Sequence, residues 1–456
     1  MKNFKIIVLS SLSLFLCSHL FSQNIACRID FEITGMEGKN ILLGVEHADN
    51  QIVIDTIPLN NQGEGKFETR SRLQSGIYTV TFPNSKYIEL MIEDEQFFSV
   101  YTDTSNLWDN LTITGASTPA LFLRYQKLQA SIEKEKRNLL TLSSSDSILL
   151  ISKQRVLNNF KDSVFAAMPN SLLSAFIRLQ NLPQTNFKRE QKKSSLSSSA
   201  FMAYHNQAVN SFIDQFPFND KRMLRTRLLY EKLNYFFNVF ISQQADTLIT
   251  FMNIFLTKAR DNEDMYKYLL NFFNNNYRNC QTPEIEKVYV YLAKNYYLNG
   301  KAPWADKNFI HLLSNRVEKL EKTVIGSKGS DLMLYTTDDK PMNLYSIDAK
   351  NLLLFFWETD CPYCEDYFSQ LVQLSKKYSQ RQLKIVAIYV HSDRKAWIDF
   401  ISNFNNTFIH LYDPLKKSNL VVLYNLSSVP FLYLLNDNKT IIAKGKNLQN
   451  IAEYIK

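Results

Sequence analysis

The sequence predicts a multidomain chain: a β-sandwich-like amino-terminal domain, an α-helical middle domain and a carboxy-terminal α/β domain. Three observations predict it. Apolar residues alternate with polar ones in short runs up to about residue 116. They then recur at helical spacing for about two hundred residues. From about residue 323, continuous apolar runs of strand length alternate with helical segments. The resulting boundaries are a leader at 1–22, an antiparallel β domain at 24–116, a helical domain at 117–322 and the α/β domain at 323–456.

The leader comes first. Lys2 and Lys5 flank the start of the apolar run Ile6–Leu16, and Ser22 supplies a small residue for cleavage. A basic start, a short apolar core and a small residue describe an export signal. The expectation is a protein of the periplasm or cell envelope, with the leader cleaved, retained as a membrane anchor or lipidated at Cys17 or Cys27. Neither cysteine sits in a good acylation context, so cleavage after Ser22 is the favoured outcome.

In the β domain, Ile29, Phe31 and Ile33 alternate with polar residues. Runs at 41–45, 52–54, 77–80, 87–92 and 97–101 follow, separated by turns such as Glu37-Gly-Lys-Asn40 and Asn60–Gly65. Short strands at this spacing predict a small antiparallel sandwich. His47, between Glu46 and Asp49, reads as a surface histidine rather than a metal ligand.

The helical domain opens at Ser117, with Ser117 or Thr118 as cap and Pro119 in the first turn. Further helices are predicted over 146–167, 170–180, 196–215, 220–243, 245–259, 263–277, 282–298 and 304–320, punctuated by prolines. Tyr230, Tyr235, Phe236, Phe237 and Phe240 form an aromatic stripe that reads as bundle core. The segment 188–199 is polar and Ser-rich, and reads as an exposed connection.

The α/β domain carries the chemistry. Leu352–Trp357 is a buried strand; a short loop leads to Cys361-Pro-Tyr-Cys364; after Cys364, Phe368, Leu371, Val372 and Leu374 return on one helical face. Strand, Cys-x-x-Cys, helix is an arrangement in which a helix N-terminus stabilises the first cysteine as thiolate. The spacing lets the second cysteine expel a mixed-disulfide partner from the first. Cys361 and Cys364 are therefore the candidate catalytic pair. Half of a zinc site and a structural disulfide are the competing readings. Zinc needs two more ligands, and His391 and His410 belong to separate strand-like runs, so no metal is expected.

Only five cysteines occur, at 17, 27, 280, 361 and 364. Cys27 and Cys280 read as partly buried free thiols. The formal charge of +8 is spread along the chain, so no nucleic-acid partner is expected.

Residues 323–456 resemble the thioredoxin fold, in particular the TlpA-like extracytoplasmic thiol-disulfide oxidoreductases. The matching features are Phe355-Phe-Trp357, the Cys361-x-x-Cys364 helix start, and Ser428-Val429-Pro430 ahead of a strand, with a strand and helix inserted between them. The preceding regions resemble the domains that accompany such modules in exported Bacteroidota proteins. The resemblance implies a cis-proline at Pro430, a substrate groove at Val429 and Pro430 with Trp357 packed beside it and counted among the substrate-binding residues, and no bound cofactor. It implies protein or small thiol–disulfide substrates and a membrane redox donor, and leaves the oligomeric state open. Two departures stand out. Asp360 replaces the usual Trp before the first cysteine, and Phe355 occupies the strand position of the usual buried acid. Glu358, Glu365 and Asp366 are the nearby carboxylates: a proton relay in place of the buried acid is one reading of them, and a solvent-facing role is the expectation for each. The rival functions are a thiol peroxidase, for which Thr359 is only a partial echo of the required loop, and a non-catalytic cell-envelope binding protein with a vestigial dithiol.

Overall fold

The computed structural model describes residues 25–138, 144–180, 198–279, 282–404 and 408–455. The expected leader at 1–22, Cys17, Cys280 and most of the Ser-rich segment 188–199 lie outside the described residues. The chain folds into two compact units. One comprises Met1–Asn181 with Arg222–Glu231; the other comprises Leu182–Lys221 with Lys232–Lys456. The boundaries at 116/117 and 322/323 mark changes of secondary structure, and the compact units divide the chain elsewhere.

The first unit contains two four-stranded sheets. One runs β4-β1-β7-β8: β1 Cys27–Thr34, β4 Glu64–Thr69, β7 Phe97–Asp103 and β8 Thr112–Thr114. The other runs β3-β2-β5-β6: β2 Asn40–His47, β3 Asn50–Pro58, β5 Gly76–Thr81 and β6 Tyr87–Ile92. Alternation decides which residues face inward: Ile29, Phe31 and Ile33 from β1 are buried with Leu43, Val80 and Leu90. The domain is not purely antiparallel, because β1 and β7 pair in parallel. The chain leaves the first sheet after β4, builds β5 and β6 in the other, and returns beside β1 in the same direction. His47 is exposed, as expected.

Helices α1 (Ser117–Asn138), α2 (Ser144–Ala167) and α3 (Leu172–Gln180) complete this unit. The cap of α1 differs from expectation. Glu95 Oε2 accepts from the Ser117 and Thr118 N–H groups at 2.6 and 3.0 Å, so the turn between β6 and β7 caps the helix. Carboxylates also bring in the segment 222–231. Glu93 accepts from the Leu172 N–H and from Arg222 at 2.8 and 2.9 Å. Glu46 accepts from the Arg227 N–H at 2.7 Å. These anchors explain why a piece of the helical region belongs with the β domain.

In the second unit, α4 is Ser198–Gln215. The helix expected over 220–243 is broken into a 3-10 turn at Lys221–Arg225, helix α5 at Arg227–Tyr235 and a π-helical turn at Phe236–Phe240, and its stretch Arg222–Glu231 is counted with the first unit. The widened turn buries Phe236, Phe237 and Phe240 together. Phe255 lies at the centre of their cluster, with Phe212, Phe216, Phe218, Phe236 and Phe237 at ring separations of 6.3, 5.1, 5.2, 5.4 and 5.1 Å. Phe236, Phe237 and Phe240 of the stripe are core, as its period implied, while Tyr230 and Tyr235 are only half-buried. Helices α6 (Ala245–Lys258), α7 (Glu263–Tyr277), α8 (Pro283–Leu292) and α9 (Lys307–Glu321) follow. Asn262 and Asp306 cap α7 and α9.

The remaining sheet has seven strands in the order β10-β9-β13-β12-β11-β14-β15. Their ranges are β9 Met333–Tyr335, β10 Pro341–Asn343, β11 Asn351–Trp357, β12 Leu383–Tyr389, β13 Ile409–Tyr412, β14 Phe431–Asn436 and β15 Ile441–Gly445. Every residue of β11 is buried. Leu353, Phe355 and Trp357 join the core on one face; Leu352, Leu354 and Phe356 join the core on the other. Helices α10 (Cys364–Ser375), α11 (Arg394–Ile401), α12 (Leu420–Leu423) and α13 (Leu448–Ala452) cover the sheet. Asp393 caps α11 by accepting from the Ala396 N–H at 3.1 Å. The buried Lys444 of β15 pairs with Glu286 of α8, which ties the helices of this unit to the sheet edge. Among the described residues, no helix is long and apolar enough to cross a membrane.

The Glu46 anchor sets a pH dependence. Burial, with the nearby Glu89 and Glu231 charges, pushes its carboxyl from 4.5 up to about 7. The folded state therefore holds a proton that the unfolded state has released between those values. Stability from this group is complete below about 4.5 and is lost as pH rises through about 7. The urea midpoint of this unit is expected to fall between about pH 5 and pH 8, and Glu46→Gln to flatten that fall. An unchanged slope in the variant contradicts the assignment.

Candidate functional site

Three parallel strands bring the site together. β11, β12 and β13 run in parallel, with Trp357 opposite Tyr389 and Tyr389 opposite Tyr412. Their carboxy-terminal ends therefore share one edge of the sheet. β14 runs antiparallel to β11, so its first residues lie at that same edge. The loop 358–363, the loop after Tyr389 and the segment ahead of Phe431 all meet there, as loops at the carboxyl ends of parallel strands do.

Cys361 lies before helix α10 and Cys364 is its first residue. The Cys364 N–H donates to the Cys361 carbonyl at 3.1 Å, which turns the loop into the helix. Both thiols are free. They differ in access: Cys361 is 8% exposed and Cys364 is fully buried. Burial pushes the Cys364 thiol well above the ordinary cysteine range, and the neighbouring Cys361 thiol adds to the shift. Cys361 stands ahead of the free N–H groups of a twelve-residue helix. Pro362 and Tyr363 between the cysteines are exposed.

The Val429–Pro430 peptide bond is cis, as the resemblance implied. The Cys361 thiol faces the Val429 carbonyl at 4.0 Å. Pro430 is buried and Val429 half-buried, while Ser427 and Ser428 are exposed. The structure thus brings Cys361, Cys364, Val429 and Pro430 together. Trp357 adjoins the site from below. It is completely buried, with Phe368, Tyr389 and Phe400 at ring separations of 4.9, 5.2 and 4.7 Å. It supports the loop and presents no surface to a docking substrate.

Phe355 fills its strand position and packs on Tyr367 and Phe368. Glu365 and Asp366 are exposed on α10, as expected. Glu358 is not simply solvent-facing. It is half-buried, and its Oε2 lies 2.7 Å from His391 Nε2. Thr359 shares a hydrogen bond with the Tyr389 hydroxyl at 3.4 Å. Sequence reasoning set His391 apart because it follows a different strand. The signal that could have found it is the parallel register, which places the residues just after Trp357 beside those just after Tyr389. Among the described residues, no cluster of three or more His, Cys, Asp or Glu side chains could hold a metal ion. Cys27 is a buried thiol, pushed up to about 11 by burial.

Known proteins resemble this part of the chain. A family model described as thioredoxin-like matches residues 348–441. The thiol-disulfide oxidoreductase ResA of Bacillus thuringiensis is 24% identical over 141 residues, which covers 30% of this chain and 80% of that protein. The thioredoxin-like protein YneN of Bacillus subtilis is 29% identical over 119 residues, covering 25% of this chain and 68% of that protein. Among solved structures, a thioredoxin-like protein from Bacteroides caccae is 18% identical and covers 62% of this chain and 92% of its own, with a TM-score of 0.38. Residues 348–441 are thus a thioredoxin-fold domain, similar to thiol-disulfide oxidoreductases.

The unequal burial predicts unequal reactivity. Brief alkylation of the reduced protein near neutral pH is expected to label Cys361 at least about tenfold faster than Cys364, with Cys27 as a buried control. Peptide mass spectrometry checks it. Equal labelling of both site cysteines contradicts the assignment of the accessible thiol.

Proposed function

We propose that the protein is an exported thiol-disulfide oxidoreductase that exchanges disulfides with protein or small-molecule substrates through Cys361-Pro-Tyr-Cys364. One observation supports this above the others: a thiol at a helix start, 8% exposed, faces the carbonyl of Val429, with a second, fully buried thiol in the first turn of the helix. Cys361 thiolate attacks one sulfur of a substrate disulfide and displaces the other as thiolate. Cys364 then loses its proton and attacks Cys361. The Cys361–substrate bond breaks, a Cys361–Cys364 disulfide forms, and the substrate leaves fully reduced. The reverse sequence oxidises a substrate. An extended peptide lying along Val429 would be held by backbone hydrogen bonds, as an added strand is.

Export to the periplasm or cell envelope is supported by Lys2, Lys5 and the apolar run that follows. In that compartment a membrane redox donor would return the pair to its dithiol form. No cofactor is required for the exchange itself.

Trapping tests the roles. Cys364→Ser is expected to accumulate mixed disulfides with substrate, and Cys361→Ser to abolish capture. Non-reducing gels and mass spectrometry read the result. Capture by Cys361→Ser alone would reverse the two roles. Absence of capture by either variant, together with no insulin reduction by the intact protein, would favour a binding protein over an enzyme.

A further inference from the structure

The helical part of the second unit holds a cleft that the thiol chemistry does not use. Helix α6 ends at Lys258, and the chain turns at once into α7. That turn is pinned: the Ala259 and Arg260 N–H groups donate to the Phe255 and Thr257 carbonyls at 3.0 and 3.3 Å, and Asn262 caps α7. Another wall comes from the chain after α8, which continues as a π-helical turn at Ala293–Tyr297. Widened turns of this kind are rare and recur at functional sites. Tyr296 is buried in this one, and its hydroxyl donates to Asn253 Oδ1 at 2.6 Å. Gly300 then takes a φ of +70°, and the Lys301 N–H returns to the Tyr296 carbonyl at 2.9 Å. The cleft between these turns has a volume of about 310 Å³ and is lined by Leu256, Thr257, Arg260, Tyr266, Tyr296 and Lys301.

The lining contains two cations and no carboxylate. Among the described residues, neither Arg260 nor Lys301 has an ion-pair partner. The acids next in sequence, Asp261, Glu263 and Asp264, line a separate cavity with Asn219 and Lys221. The α6–α7 turn thus sorts its charges, acids to one cavity and Arg260 to the other. Lys301 Nζ is held over the Tyr296 ring, 5.0 Å from its centroid, so the ammonium is already positioned. Tyr266 is fixed by edge-to-face packing on Trp304 at 5.9 Å. Like charges that share a cleft repel each other, and an anion placed between them turns that repulsion into attraction. A guanidinium adds a two-point contact to an oxyanion. Leu256 and the tyrosine rings supply an apolar wall beside the cations.

We propose that this cleft binds a small oxyanion carried on a ring. The acid group sits between Arg260 and Lys301, the Thr257 and Tyr266 hydroxyls donate to its remaining oxygens, and the ring lies against Leu256 and Tyr266. A phosphate monoester, close to doubly charged at neutral pH, matches two cations better than a carboxylate does. The volume is at the small end of ligand sites, with room for one ring and its acid group. The site is separate from Cys361 and Cys364 and does not depend on the thiol–disulfide reading.

Titration calorimetry on the full-length protein, with phenyl phosphate as the probe at low ionic strength, tests this. Saturable one-to-one binding is expected, with a Kd of about 1 mM or below for a ligand of this size. Benzoate and inorganic phosphate should bind more weakly, and phenol not at all. Arg260→Gln and Lys301→Gln, both at exposed side chains, should each weaken phenyl phosphate at least about tenfold without lowering the unfolding midpoint. Lys301→Arg keeps the charge and should retain binding. Lys267 lies over the Trp304 ring at 5.9 Å and does not line the cleft, so Lys267→Gln should leave binding unchanged. Absence of saturable phenyl phosphate binding overturns the proposal. So does an equal loss in Lys267→Gln, which marks diffuse attraction to surface charge. Inorganic phosphate or phenol binding as tightly as phenyl phosphate overturns the assigned ligand class, because the ring wall or the cations then contribute nothing.

Discussion

The burial of β11 on both faces is the constraint on which the site depends. Seven consecutive residues, Asn351–Trp357, have no access to solvent that would let the strand shift. A one-residue slip would exchange the two cores and strand each side chain on the wrong face. Fixing this strand fixes where Trp357 ends it. That in turn fixes where the loop must rise, turn and enter α10. β12 pairs along its whole length and β14 along Asn351–Phe356, so the groups after Tyr389 and before Phe431 are placed by the same register. Cys361, His391 and Val429 are distant in sequence and share a neighbourhood for this reason.

Electrostatics then separates two chemically identical side chains. Cys361 keeps an opening to solvent at a helix start, while Cys364 is enclosed by the apolar rings beneath that helix. A buried thiol resists ionisation because nothing solvates the charge. The difference suits consecutive roles: one sulfur meets a partner, and the other waits until a disulfide forms beside it. The aromatic packing around Trp357 and Phe368 therefore affects the chemistry through exclusion of water, although neither ring touches a reacting atom.

Much of this was legible in the sequence. The apolar run 352–357, the Cys-x-x-Cys before a helical period, and Val429-Pro430 before a strand mark segments that the fold does bring together, because strong periodicity and turn residues are local signals. What stayed hidden depends on tertiary pairing. Strand β8 has only three residues, and β4 begins inside what reads as a turn. The parallel pairing of β1 with β7 follows from a crossover that no local pattern records. Glu95 caps α1 from a distant loop, where its own Ser117 or Thr118 was expected. The division of the helical region was hidden too, because Glu46 and Glu93 act through contacts distant in sequence. Glu358 and His391 are ordinary polar residues until the strand register brings them together.

The central claim is that Cys361 and Cys364 form a reversible two-electron couple. Equilibrating the full-length protein across dithiothreitol and glutathione buffers of graded poise, then quenching and weighing it, tests this most directly. The account predicts one cooperative transition between dithiol and a Cys361–Cys364 disulfide, with a midpoint within the range of known thioredoxin-fold proteins, about −270 to −120 mV, and no transition in Cys361→Ser. If the two cysteines stay reduced, or stay bridged, at every accessible poise, the couple does not exist and the account fails.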